Sequence, residues 1–140
     1  MRMRVIPVLF AMLLLGVGIA RAQSNESAAC DKPREVGTWV NKTAGVKDVS
    51  SVEIEYFCPE DPAFGAWRVR LKTRCHPRDC TWGWSPASMS DDDTLHAGFQ
   101  GFYTTFFLTL RLSGSELLAE AEMHVENDPP DLRYYRLHRK

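Results

Sequence analysis

From Trp67 to Trp84 the chain reads in twos. Trp67, Val69, Leu71 and Thr73 alternate with Arg68, Arg70, Lys72 and Arg74, the period of a strand with one buried and one wet face. Beyond Cys75-His76-Pro77-Arg78-Asp79-Cys80, Trp82 and Trp84 alternate around Gly83. Two alternating runs joined by a short segment that opens and closes on cysteine predict a β-hairpin tied across its neck. Trp82 and Trp84 are expected to share its buried face with Trp67.

The cysteines also speak to compartment. Arg2 and Arg4 precede an uncharged apolar run, Val5 to Ala20, and Ala20-Arg21-Ala22 offers small residues ahead of Gln23. Residues 1–22 therefore read as a secretory signal peptide, too short and wrongly flanked for a membrane anchor, and a secreted or periplasmic location is expected. In an exported chain four cysteines read as two disulfides, with three connectivities open. The hairpin favours Cys75 with Cys80 and leaves Cys30 with Cys58, whose longer loop is worth about 3 kcal/mol by chain entropy. A zinc site using His76 is disfavoured by export and by the lack of a second ligand pair at zinc spacing.

Removing Arg2, Arg4 and Arg21 from 17 basic residues leaves 14 against 18 acidic ones, a net charge of −4. That balance argues against nucleic acid or an anionic membrane as partner. No membrane span is expected once the signal is removed.

Residues 23–35 read as a polar N-terminal arm pinned at Cys30, and 36–140 as a single β domain. Short strands are expected at Val36 to Asn41, Ser51 to Phe57, from Trp67, after Cys80, at Leu95 to Phe99, Phe102 to Leu112, Leu117 to Val125 and Leu132 to Leu137. Pairing the second and third strands puts Glu55 opposite Arg68, Glu53 opposite Arg70, Ile54 opposite Val69 and Tyr56 opposite Trp67. Charge and apolar matching agree on that register. Leu117 to Val125 has helix-forming composition, yet its alternation and the Ser113-Gly114-Ser115 turn before it favour a strand. Eight antiparallel strands in sequence order predict an up-and-down barrel, which leaves no exposed edge. A β-sandwich is the alternative.

Gly37-Thr38-Trp39 resembles the Gly-x-Trp opening of lipocalin-like and avidin-like barrels. That resemblance implies a tryptophan plugging one barrel end under a basic residue of the last strand, with Arg133 and Arg136 as the available partners. The fuller pattern runs through Gly37 to Asn41, Cys75 to Gly83 and Phe102 to Leu110. It is similar to a group of small exported bacterial β-barrel proteins, which implies fold and compartment and supplies no site residues.

Chemistry is less marked. His76 oriented by Asp79 would suit a general base, but no nucleophile motif accompanies it, and a turn with Asp79 accepting nearby amides is the plainer reading. Glu120, Glu122 and His124 share a strand face, and Asp91-Asp92-Asp93 forms an acidic loop. The first could bind a metal but is more often a solvated outer face, and the second lacks the spaced ligands and glycine of a calcium loop, so no metal and no cofactor is expected. Arg68, Arg70, Lys72 and Arg74 could hold an anion, though Glu53 and Glu55 answer half of that charge. Tyr56, Trp67, Trp82, Trp84, Phe99, Phe102 and Phe106 should point inward. They either fill the barrel or line a cup.

The cup reading gives a non-enzymatic protein binding a small apolar or sugar ligand at the barrel mouth. Trp67, Trp82, Trp84 and Phe99 would form its walls, with Thr73 and Thr104 as polar anchors. The alternative is a protein-interaction module, such as an inhibitor of an exported hydrolase, working through the Cys75–Cys80 loop.

Overall fold

Alternating side chains can bury one face of every strand, with no edge left open, when the sheet curls and closes around them. A computed structural model, describing residues 31–58 and 66–140, shows that solution. Its strands are β1 Gly37–Val40, β2 Val49–Tyr56, β3 Trp67–Thr73, β4 Cys80–Met89, β5 Thr94–Gln100, β6 Thr104–Ser113, β7 Glu116–Val125 and β8 Asp131–Arg139. Each pairs antiparallel with the next, and β8 returns to β1 to close the barrel. Residues 1–22, Cys30 and with it the expected Cys30–Cys58 bridge lie outside the described residues.

The β2–β3 register is the one that charge and apolar matching predict: Glu53 opposite Arg70, Ile54 opposite Val69, Glu55 opposite Arg68 and Tyr56 opposite Trp67. Leu117 to Val125 is extended, its inward set Leu117, Ala119 and Ala121 buried. Leu71, Leu95, Leu108, Leu110 and Leu137 fill the middle of the barrel, each about 1% exposed or less. Burying each such chain contributes about 1.5–3 kcal/mol, which drives the closure.

One barrel end carries the start of β1. Here the Trp39 indole donates to the Glu35 carbonyl, and the Arg139 guanidinium lies over the ring, 4.3 Å from its centroid. The sequence pointed to Arg133 or Arg136 for that partner. β8 runs two residues beyond its expected end at Leu137 and sets Arg139 opposite Trp39. Arg136 instead reaches outward to Glu116, and Arg133 sits toward the opposite end.

A second difference lies in β4. Arg70 pairs with Trp84 and Lys72 with Thr81, so Leu71 faces two residues, Trp82 and Gly83. This is a β-bulge, and Gly83 adopts the positive φ of 80° that a side chain resists. The extra residue reverses the alternation: Trp82 points in and Trp84 points out. On the outer wall Trp84 packs under Arg68 and Arg70, 4.5 and 4.8 Å from its ring.

Phe102 also departs from its expected inward place. The Gly101 amide bonds the Thr104 carbonyl at 2.7 Å, closing a tight turn that delays β6 to Thr104 and leaves Phe102 fully exposed. From Thr104 onward the expected inward face is kept, with Phe106, Leu108 and Leu110 buried.

Candidate functional site

The barrel end opposite Trp39 is framed by the connections 41–48, 74–79, 101–103 and 126–130. It holds a cup of about 340 Å³ walled by Thr73, Trp82, Thr104, Phe106, Met123 and Val125. The Cys75–Cys80 bridge and Lys47 complete its rim. The register at the neck, Thr73 with Cys80 and Lys72 with Thr81, aims Trp82 into it. There the indole N–H donates to the Thr73 hydroxyl at 3.1 Å, and the ring meets Phe106 edge-on with centroids 4.7 Å apart. The strand parity of β6 and β7 brings Phe106 and Met123, directly paired, to the facing wall.

A charged strut stands beside the cup. Asp48 accepts from the Gly45 amide, Arg133 Nη1 and the Tyr135 hydroxyl. Arg133 also grips Asp131 at 2.7 Å. Burial pushes the Asp48 carboxyl up, but the Gly45 amide, Arg133 and Tyr135 outweigh it and hold it below the ordinary aspartate value. The bonds to Asp131 and Asp48 keep Arg133 firmly protonated, while burial and the Asp48 charge raise the Tyr135 phenol. A separate crevice beside the cup, sharing Lys47, Phe106 and Met123 with it, touches this strut at Asp131, Arg133 and Tyr135.

The structure thus brings together three of the expected ligand residues, Thr73, Trp82 and Thr104. Trp67 lies toward the other end, against Tyr56 at 4.8 Å. Phe99 is packed in the core opposite Phe106, below the cup rather than lining it. Trp84 is on the outer wall for the reason given. Sequence reasoning set Phe106, Met123 and Val125 on inward faces without naming them as ligand residues, and it missed Lys47 and the Asp48–Arg133 strut. The β7 alternation carried a signal for Met123 and Val125. Lys47 and Asp48 sit in an irregular loop and carried none.

The remaining candidates resolve into local structure. Asp79 accepts from Ser50 and pairs with Arg74 at 3.0 Å, so it braces the rim and does not orient His76, which is exposed. Arg68 pairs with Glu55, Arg70 and Lys72 with Glu53, so the basic face is answered more fully than expected. Asp92 binds Ser90 and Arg111, and His124 contacts Glu122 on the outer wall. Among the described residues no three metal-ligating side chains cluster. Comparison with family models, with curated proteins and with solved structures returned no match.

Proposed function

We propose that this protein is an exported, non-enzymatic barrel that holds a small, mainly apolar molecule in the cup at its open end. The observation that carries the reading is the cup itself: about 340 Å³, apolar on most sides, with hydroxyls at Thr73 and Thr104. Sites that take small ligands have this make-up, a hydrophobic wall with a few placed polar groups. Export is supported by the Cys75–Cys80 disulfide, which persists in oxidising compartments.

Because Trp82 walls the cup, its fluorescence should report occupancy. A panel of small aromatic, aliphatic and sugar probes is expected to contain compounds that quench wild type and Trp84→Phe but not Trp82→Phe. If no probe shifts either fluorescence or melting temperature, the reading falls.

A second reading rests on the rim. His76, Pro77 and Arg78 are exposed on a loop held by its disulfide and by Asp79 to Arg74 and Ser50. A rigid, projecting loop suits insertion into a partner, since little order remains to be gained on binding. Inhibition of exported hydrolases, abolished by Arg78→Ala, would support it. Inhibition that the substitution leaves intact would count against it.

A further inference from the structure

The strongest unabsorbed feature of the open end is a positive charge with no answer. Among the described residues lining the cup, Lys47 is the one that is charged. The other charged groups at the strut satisfy each other: Arg133 binds both Asp48 and Asp131. Rim residues Arg74 and Asp79 are likewise paired. Lys47 forms no salt bridge with any described residue, yet it borders both the cup and the small crevice beside it.

Its backbone is also held in place. The Lys47 amide donates to the Arg74 carbonyl at 2.8 Å, and the Arg74 amide to the Asp48 carbonyl at 2.8 Å. Those bonds lock the loop to β3, and the Asp48 carboxylate ties the next residue to β8 through Arg133. Lys47 is held at a positive φ of 69°, a conformation that a lysine adopts only at some cost. The loop therefore holds the Lys47 backbone in a costly conformation at the lip of an apolar cup.

Resting on the cup reading above, we infer that the ligand is a small anionic amphiphile. Its apolar body lies against Trp82, Phe106 and Met123, and its carboxylate-class head is received by Lys47. Thr104 offers a hydroxyl toward the same space. The apolar wall strengthens a charge–charge contact made at its edge, because water screens it from fewer sides. The same ammonium repels a cationic head, so the site sorts ligands by charge as well as by size.

The test uses the full chain and three chain-matched probes: octanoate, octanol and octylamine, followed by tryptophan fluorescence and calorimetry. Octanoate is expected to bind roughly fivefold to tenfold tighter than octanol, the scale of one partly exposed charge-assisted contact, with octylamine weakest. Lys47→Gln brings octanoate down to the affinity of octanol, and Lys47→Arg restores the gap. Equal binding of octanoate and octanol by wild type, or a gap that survives Lys47→Gln, overturns the charge assignment while leaving the cup as an apolar site. Failure of all three probes to bind overturns both.

Discussion

Arg133 and Asp48 meet across the open end of the barrel, 85 residues apart in sequence, with Nη1 2.8 Å from Oδ1. The contact stands where the backbone ladder runs out. Among the described residues β1 and β8 pair Trp39 with Arg139 and Val40 with His138, with a further bond from the Lys140 amide to the Thr38 carbonyl, although β8 continues back to Asp131. Beyond that ladder, Asp48 at the end of the 41–48 loop ties the loop to β8 through Arg133 and Tyr135.

Asp48→Asn should therefore destabilise the fold by about 1.5–3 kcal/mol at neutral pH, the range for hydrogen bonds to a charged partner. The pH dependence has a definite sign. The Asp48 pKa is lowered by folding, so its contribution is complete above the ordinary value of 3.8 and is lost as pH falls through the lower folded value. Urea titrations of wild type and variant should differ at pH 7 and draw together in the acid range below that value. A difference that stays constant to strongly acid pH would show that the carboxylate charge is not what matters.

The other end is tied by Arg139. Its Nη1 donates to the Val36 carbonyl and its Nη2 to the Arg34 carbonyl while its plane covers Trp39. Arg139→Ala should cost about 1–3 kcal/mol, combining a cation–π contact with two charge-assisted bonds. Gly37 is part of the same device, at φ 145° with room for a Cβ denied by Arg139 Nη1 at 2.6 Å. Gly37→Ala should be destabilising alone and less so in an Arg139→Ala background, where the clash is gone and the backbone strain remains. Simple additivity in a double-mutant cycle would contradict that coupling.

What could be read in advance follows from where the chain is regular. The β2–β3 register was legible because opposite charges and apolar pairs both select it. The inward faces of β5 and β7 were legible because alternation runs through them without interruption. Trp84 was misplaced because a bulge adds one residue without changing composition, and Gly83 alone does not announce it. Phe102 was misplaced because the turn at Gly101 consumes residues that resemble strand. Arg139 was missed because β8 outlasts its apolar residues. The cup was half legible: Thr73, Trp82 and Thr104 lie on regular strands, whereas Lys47 and Asp48 act from a loop whose shape is set by tertiary contacts.

The Cys75–Cys80 bridge closes a five-residue separation at the cup rim. Replacing both cysteines by serine should lower stability by about 2 kcal/mol in the chain-entropy model, less than a longer loop would give. Since both residues border the cup, ligand affinity should fall further than stability alone explains. Matching the variants at equal fraction folded, by titrating well below their melting temperatures, isolates that second effect. Unchanged affinity there would mean that the rim does not need the bridge.

The bulge at Gly83 makes the two neighbouring tryptophans unequal, and a paired substitution measures it. Trp82 is half-buried, bonded to Thr73 and packed on Phe106, so Trp82→Ala removes wall and core contact together and should cost about 2–4 kcal/mol. Trp84 lies outside, and Trp84→Ala removes two partly exposed cation–π contacts worth about 0.5–1 kcal/mol each. Gly83→Ala meets no atom within 4 Å and so isolates the backbone cost of φ 80°, about 1 kcal/mol. Ligand quenching should vanish with Trp82→Ala and survive Trp84→Ala. If denaturant melts instead rank Trp84→Ala as the costlier change, the residue turned inward is Trp84, and the cup has been built from the wrong ring.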